Sequence, residues 1–422
     1  MKRFTKKYHT HFQKSLLIIF FVAVAAAVSA QEQARYIFLN LAPGRNFKVG
    51  KPTTFNKKVF DDVAEKFQVK KSQKLQLGIS VIFDFLSTNI DSVEKSLDRL
   101  LVISQVTDVP ILIHLDGINW LNDRPDLWNW WDPKKPGYNP DNKKNVEWTD
   151  WNESSAIKIS WRNWGTQFRT MPAPNIMSPK ILEAQISGLN KLIPKIVLWY
   201  NNLPAGKKHL LGGVKLAHEA SIGVNAYYYK GGNRYIEKMP DDRSLDPLES
   251  YNAQAGFNGG LTTLGYAAVK TAGIKDRGRI TNRDLEQVVH RFLDTLSKTA
   301  FQLGLPKEKI YTHQGGTFAP WDKHLSFSAA SNQYSLPGWS LYSTNPNTAG
   351  DLGDVLDSRK VSGWAAAEWW WPGNTKLEWK YNVLTTLSFK DCRFIAIFNW
   401  ENGLEKYPHG IEAIKEVINE WN

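Results

Sequence analysis

Cysteine is nearly absent from this sequence of 422 residues, which contains only Cys392. A single cysteine excludes an intramolecular disulfide, and no cysteine follows the apolar N-terminal run where a lipid could be attached. The sequence also lacks an internal repeat, a low-complexity linker and a break in composition. We therefore expect one large domain rather than two.

A clustered stretch of basic residues is missing as well. The formal net charge is +12, but Lys and Arg are interspersed with acidic residues over most of the chain. The first 30 residues carry five basic residues and no acidic ones, so their removal lowers the formal charge from +12 to +7. A nucleic-acid partner would require a basic stripe, and we expect none.

The first 30 residues have the order of a secretory signal peptide. Basic residues precede the apolar run SLLIIFFVAVAAAVSA at 15–30, which ends with small residues at Val28 and Ala30. The alternative is an uncleaved anchor, but the run is shorter than the roughly 20 apolar residues of a spanning helix. The sequence predicts cleavage before Gln31 and a catalytic domain of residues 31–422. That domain would be secreted or periplasmic, without stable membrane insertion.

Eight short runs rich in Val, Ile and Phe alternate with amphipathic stretches along the chain. This alternation is typical of βα units around a parallel sheet. It predicts a (β/α)8 TIM barrel of the α/β class with enlarged βα loops, especially after strand three. The predicted strands are residues 35–41, 75–83, 109–115, 210–219, 309–314, 338–343, 363–369 and 393–400.

The intervening stretches predict helices, and one of them begins with Asp91 as its cap and Glu94 three residues later. The rival architecture is an open doubly wound sheet. The segment after the first strand, NLAPGRNFKVG at 40–50, lacks the G-x-G-x-x-G spacing of a dinucleotide site. We therefore favour the barrel and expect no cofactor.

Polar residues stand at the predicted ends of several strands. In a (β/α)8 barrel these ends form the site, so the residues are expected to face one pocket. They include two glutamates, Glu219 after strand four and Glu368 after strand seven. The other strand-end residues are His114, Asp116, His218, His313, Gln314, Trp369, Trp370, Trp371, Asn399, Trp400 and Glu401.

Two carboxylates ringed by Trp, Asn and His are the equipment for breaking a glycosidic bond. One acid protonates the departing oxygen, and the other attacks or stabilises the oxocarbenium-like centre. Indoles stack on the C–H faces of pyranose rings, and polar side chains satisfy the hydroxyls. We expect the long segment from Gly117 to Pro179 to fold over the barrel mouth and to supply such indoles, with Trp128, Trp130 and Trp131 as candidates.

The motifs GVKLAHEASIGVNAYYY at 213–229 and GWAAAEWWWPG at 363–373 carry a family resemblance. They resemble the strand-four and strand-seven segments of clan A, the retaining (β/α)8 glycoside hydrolases that include cellulase-like, mannanase-like and β-galactosidase-like families. The resemblance implies that Glu219 is the acid/base and Glu368 the nucleophile. Many of those families have Asn immediately before the acid/base, whereas this chain has His218.

The leading hypothesis is thus an exported glycoside hydrolase that acts on β-linked glycans. One alternative is a barrel that binds glycan without cleaving it. A further alternative is a metal-dependent hydrolase built on His114, Asp116, His218 and His313, but the sequence shows no clear metal-ligand set and no metal is predicted. The oligomeric state is left open. The predicted substrate-binding residues are Asp116, Trp120, His218, Asn225, Tyr227, His313, Trp369, Trp370 and Trp400.

Overall fold

The structure is a computed structural model, which describes residues 34–68, 74–118, 121, 123–163, 167–222, 224–226, 261–315, 326–359 and 361–421. The predicted signal peptide, residues 1–30, lies outside these ranges. The described strands are, in chain order, β1 Arg35–Asn40, β2 Leu75–Asp84, β3 Ile111–Asp116, β4 Ser160–Asn163, β5 Gln167–Thr170, β6 Leu211–Ala220, β7 Val224–Ala226, β8 Leu261–Thr263, β9 Ile310–Gln314, β10 Gly338–Leu341, β11 Trp364–Trp369 and β12 Cys392–Phe398.

Eight of these strands close into a parallel barrel in the order β1-β12-β11-β10-β9-β6-β3-β2. The predicted (β/α)8 fold is therefore confirmed, and each predicted strand agrees with its observed bounds to within two residues. The fourth strand of the barrel is β6 and the seventh is β11. The other four strands form two antiparallel hairpins, β4 with β5 and β7 with β8, in the loops.

Helices follow the barrel strands and cover them from outside. In the described part of the chain, none is long and apolar enough to cross a membrane. The α-helices of the described residues are α1 Lys58–Phe67, α2 Ile90–Thr107, α3 Pro125–Trp128, α4 Pro179–Asn202, α5 Tyr266–Thr271, α6 Asn282–Gln302, α7 Leu352–Arg359, α8 Lys376–Leu387 and α9 Pro408–Trp421.

Helix α2 begins two residues earlier than its sequence pattern indicates. Its cap is Asn89, whose side chain accepts hydrogen bonds from the backbone N–H groups of Asp91 and Ser92. The prediction of Asp91 as the cap is wrong, because Asn89 already satisfies the donors of the first turn.

The barrel interior changes from apolar to polar along the strands. Phe38, Tyr311 and Phe394 meet across the barrel, with ring centroids 5.4 Å apart for Phe38 and Phe394 and 4.7 Å for Tyr311 and Phe394. A Cβ at Gly212 would lie 2.1 Å from Phe38 Cζ, so this ring requires glycine beside it. Further along the same strands, inward positions become polar, since alternate residues share one face. On β3, for example, Leu112 belongs to the apolar layer and His114, two residues later, belongs to the polar layer. The polar layer ends at the carboxyl edge of the barrel.

The enlarged loop predicted after strand three is present and connects β3 to α4. It contains α3 and the β4–β5 hairpin. Trp128 is buried there, and its Nε1 donates to the Leu121 carbonyl oxygen at 2.6 Å. Trp148 is also buried, with Nε1 donating to the Lys143 carbonyl at 2.8 Å. For Trp128 this corrects the prediction of a sugar-stacking face, because its indole forms part of the core of the loop.

Candidate active site

Glu368 lies near the end of β11, where it is only 3% exposed. The Tyr342 hydroxyl donates a hydrogen bond to its Oε1, and His218 Nε2 lies 3.5 Å from its Oε2, an ion-pair distance. Burial alone would raise the pKa of Glu368. The His218 interaction, the Lys215 charge and the Tyr342 hydrogen bond outweigh burial and hold this pKa below its ordinary value. Glu368 is therefore a carboxylate at neutral pH.

His218 links two acidic groups at the end of β6. Its Nδ1 lies 3.0 Å from Asp116 Oδ2, and its other ring nitrogen faces Glu368. Burial would lower the pKa of His218, but the hydrogen bonds and charges of Asp116 and Glu368 raise it to about 9. The imidazole is thus a cation at neutral pH, with one carboxylate on each side.

Glu219 is half-buried and stands beside Glu368. Its Oε1 accepts a hydrogen bond of 2.7 Å from the Ser340 hydroxyl. The backbone at this end of β6 is unusual, with φ of 65° at Ala217 and 49° at Glu219 and a register shift against β9 between Leu216 and Ala220. Left-handed conformations of non-glycine residues are costly and are concentrated at functional sites.

A histidine and a serine connect Glu219 to the neighbouring strands. His313 Nε2 lies 2.9 Å from Ser340 Oγ, and because the Ser340 hydrogen points to Glu219, the imidazole donates to the serine oxygen. Burial, together with the Lys215 and His218 charges, lowers the pKa of His313 well below its ordinary value. The hydrogen-bond chain from His313 through Ser340 to Glu219 is therefore neutral. Glu368, in contrast, faces the cationic His218.

Lys215 is fully buried inside the barrel beneath these groups. Its Nζ donates to the Ala367 carbonyl oxygen at 2.7 Å, which joins β6 to β11 across the interior. Burial lowers the pKa of Lys215 to about 8, against the opposing charges of Glu368, Glu219 and Asp116. Lys215 therefore remains mostly protonated at neutral pH and adds a second cation to the site.

His114 completes the buried layer as a neutral group. Its Nε2 donates to the Ala217 carbonyl oxygen at 2.6 Å, and its ring lies 4.7 Å from that of His218 between centroids. Burial and the neighbouring charges of Lys215 and His218 lower its pKa well below the ordinary value. His114 thus supports the left-handed turn at Ala217 rather than supplying a charge.

The strand-end predictions therefore bring five residues together in one cluster. They are Asp116, His218, Glu219, His313 and Glu368. Lys215, Ser340 and Tyr342 were missed, although the sequence contains a signal for each. A lysine in the middle of a buried strand, GVKLAHE, and polar residues alternating with Trp339 and Leu341 in GWSLYS both indicate an interior polar face.

The predictions of sugar contacts by Trp369 and Trp400 are wrong. Trp369 is fully buried against α8, where its Nε1 donates to Thr386 Oγ1 at 3.2 Å. Trp400 is 5% exposed and packs on Phe67, with the Lys66 ammonium over its ring. Neither indole has an open face, so the prediction of sugar contacts is corrected for both. Alternation along a strand sends the residue after Glu368 outward.

The remaining predicted contacts have mixed outcomes. Trp370 is half-buried between Trp379 and Tyr407, with centroid distances of 5.7 Å to each, and it borders a surface groove next to Tyr342. Asn225 lies on β7, for which only the backbone is described. Trp120 and Tyr227 lie outside the described residues.

Glu401, one of the strand-end residues named above, is a structural group. Its Oε2 accepts from the Ala42 backbone N–H at 2.7 Å, and its Oε1 accepts from Asn46 Nδ2 at 2.8 Å. These bonds hold the loop after β1.

One oxygen each from Glu219 and Glu368 and one ring nitrogen of His313 lie within 4.8 Å of one another. That spacing is close enough for a cation. However, Glu368 already accepts from Tyr342 and Glu219 accepts from Ser340, and two cationic side chains offset the negative charge. The arrangement is better suited to acid/base and nucleophilic chemistry by the two carboxyl groups.

The chain matches no protein-family model and no curated protein. Among solved structures it is similar to the catalytic domain of beta-amylase from Paenibacillus polymyxa, with a TM-score of 0.48, 9% identity and coverage of 93% of this chain and 99% of that chain. It is also similar to GH26A from Muricauda sp. MAR_2010_75, with a TM-score of 0.43, 7% identity and coverage of 92% and 90%. A GH5-4 broad specificity endoglucanase from an uncultured bacterium gives a TM-score of 0.43, 9% identity and coverage of 93% and 95%.

These likenesses are too weak to carry an argument about activity. The fold class is assigned from the geometry of the protein itself, which is a closed (β/α)8 barrel. Glu219 and Glu368 stand at the ends of its fourth and seventh strands. This is the arrangement that the clan A resemblance implies.

Proposed function

We propose that this protein is a glycoside hydrolase that cleaves β-glycosidic bonds in an oligosaccharide or polysaccharide with retention of anomeric configuration. The observation that carries the proposal is the pair Glu219 and Glu368, whose nearest oxygens lie within 4.8 Å and whose partners differ. Retaining glycosidases place two carboxyl groups about 5–5.5 Å apart and give them different roles.

The charges around the pair support this division of roles. Asp116 and Glu368 contribute two negative charges, while His218 and Lys215 contribute two positive charges. A proton on Glu219 therefore leaves the buried group neutral, which avoids an uncompensated charge. Glu219 is thus assigned as the acid and Glu368 as the ionised nucleophile.

The proposed reaction has two steps. Glu368 attacks the anomeric carbon, the bond from that carbon to the leaving oxygen breaks, and Glu219 gives its proton to that oxygen. In the second step Glu219 takes a proton from water, whose oxygen displaces Glu368 from the anomeric carbon. His218 and Tyr342 stabilise the Glu368 carboxylate before attack and again when it departs.

The test is a panel of aryl β-glycosides and polysaccharides with products sized, in the presence and absence of a strong chelator. We expect cleavage of at least one substrate class that survives the chelator. Binding without cleavage would instead indicate a non-catalytic glycan-binding barrel, and loss of activity with the chelator would indicate a metal-dependent hydrolase.

Variants then assign the roles. Glu368→Gln is expected to abolish turnover of every substrate. Glu219→Ala is expected to reduce turnover of substrates with poor leaving groups by about 10²–10⁴-fold, while sparing the first step for activated aryl glycosides. Glu147→Gln is the matched control, since Glu147 is a fully buried glutamate in the loop after β3, bonded to the Gly265 backbone.

We also propose that the protein is exported and cleaved before Gln31. The basic, apolar and small-residue order of residues 1–30 supports this proposal. N-terminal sequencing of exported material should begin near Gln31, and a mature protein that retains Met1 would contradict it.

A further inference from the structure

A surface groove lies next to the proposed active site, between the segment that follows β10, the loop after β11 and helix α8. It encloses about 940 Å³. Tyr342 lines the groove, and its hydroxyl donates a hydrogen bond to Glu368. Its apolar walls, called here the aromatic groove, are formed by Tyr342, Trp370, Trp371, Pro372, Leu377 and Tyr381.

The outer part of the aromatic groove exposes large apolar side chains to solvent. Leu377 is 75% exposed, Tyr381 is 59% exposed and Trp371 is 42% exposed. Leu377 and Tyr381 are four residues apart on α8 and therefore neighbours on one helix face. Contiguous apolar surface of this kind marks a binding site more often than singly scattered residues do.

Two of the polar side chains that border the groove, Glu378 and Asn382, already have partners within the protein. Asn382 Nδ2 donates to the Trp371 carbonyl oxygen at 3.3 Å. Glu378 Oε2 accepts from the backbone N–H groups of Asn374 at 2.6 Å and Thr375 at 3.1 Å, as part of the cap of α8. The walls offer an occupant mainly ring faces and aliphatic carbon, which suit an apolar group better than the hydroxyls of further sugar units.

We propose that the aromatic groove binds an apolar aglycone, meaning an alkyl or aryl group attached through oxygen to the anomeric carbon of the substrate. The inference rests on the proposed function, and the observation that carries it is Tyr342, which both lines the groove and donates to Glu368. On cleavage, the carbon–oxygen bond at the sugar breaks and the aglycone leaves as an alcohol or phenol with the proton from Glu219.

The experiment uses methyl, butyl, hexyl and octyl 1-thio-β-D-glucopyranosides, whose sulfur linkage resists hydrolysis, so binding is measured apart from turnover. Calorimetric titration of the parent protein should show affinity rising about three- to fourfold for each methylene that enters the groove. Leu377→Ser and Tyr381→Ser should flatten this rise. Leu198→Ser, which alters a similarly exposed leucine on α4, should keep the parent's slope.

Affinity that is independent of chain length, or an equal slope in the two groove variants, would overturn the proposal. Sedimentation that shows a dimer of the parent and a monomer of Leu377→Ser would also overturn it, because the face would then bind a second copy of the chain. The two proposals fail separately. If affinity rises with chain length but no glycoside is hydrolysed, only the proposed function is contradicted. If a glycoside is hydrolysed but affinity does not depend on chain length, only the aglycone site is contradicted.

Discussion

At the scale of single residues, the unusual feature is the histidine before the acid/base. His218 stands between Asp116 and Glu368 and carries a charge because both carboxylates raise its pKa. A neutral amide at this position would give Glu368 a hydrogen bond but no charge. The protein therefore stabilises its proposed nucleophile with a buried cation on one side and the Tyr342 hydroxyl on the other.

A prediction follows for His218→Asn. Because His218 lowers the pKa of Glu368, its replacement should raise that pKa, and the acid limb of the kcat/KM profile should move to higher pH. A pH profile on an activated aryl glycoside measures the shift. His290→Asn, on α6 outside the site, is the control. An unmoved acid limb in His218→Asn would contradict the assigned role of His218.

The candidate site could be predicted from sequence where a polar residue stands at a strand end, as Glu219, Glu368 and Asp116 do. The role of a residue could not be predicted where it depends on the side of the strand that the side chain faces at the end of that strand. Trp369 follows Glu368 and faces outward into the helix layer, although the three consecutive indoles suggested one pocket. Lys215 could be found only by treating β6 as lining the interior.

At the scale of elements, the long loop after β3 is fastened by buried groups. Trp128 is 6% exposed and bonds to Leu121 through its indole N–H. Trp128→Ala should lower the free energy of unfolding by about 3–5 kcal/mol, the usual range for truncating a buried aromatic residue. Urea unfolding followed by circular dichroism measures it, with the exposed Trp371→Ala as the comparison. Equal losses in the two variants would place Trp128 outside the core of the loop.

Glu147 in the same loop gives a pH-dependent prediction. Burial raises its pKa to about 8, although backbone N–H groups, including those of Trp148 and Gly265, lower it in part. The folded state therefore keeps a proton that the unfolded chain loses near the ordinary value of 4.5. This contribution to stability is fully present below that value and is lost as the pH rises through about 8.

Glu147→Gln should remove that contribution. The free energy of unfolding of the parent should fall between pH 5 and pH 8 more steeply than that of the variant, as measured by urea unfolding at both pH values. Glu412→Gln, on the exposed surface of α9, should behave as the parent does. If Glu147→Gln kept the parent's full pH dependence, the carboxyl group would have to be ionised in the folded protein.

At the scale of the whole molecule, the eight barrel strands were predictable because each is a short apolar run separated by an amphipathic helix. Closure into a barrel follows from the number of such units and their burial on both sides. The hairpins β4–β5 and β7–β8 were not predicted, since their pairing depends on tertiary contacts made over the barrel.

The interior also explains where the chemistry lies. Aromatic rings around Phe38 fill the barrel near the beginning of its strands, and charged groups occupy the opposite end. The apolar layer lies beneath Lys215, His218 and the two glutamates and keeps water away from that side of them. In such surroundings the electrostatic interactions among these groups are stronger than in water.

The most direct test of the central claim is the stereochemistry of the first product, followed by proton NMR during hydrolysis of an aryl β-glycoside that the protein cleaves. With Glu368 as nucleophile and Glu219 as acid/base, two displacements at the anomeric carbon should release the β-anomer first, before mutarotation. First release of the α-anomer would mean a single displacement by water, and it would contradict the roles assigned to the two glutamates.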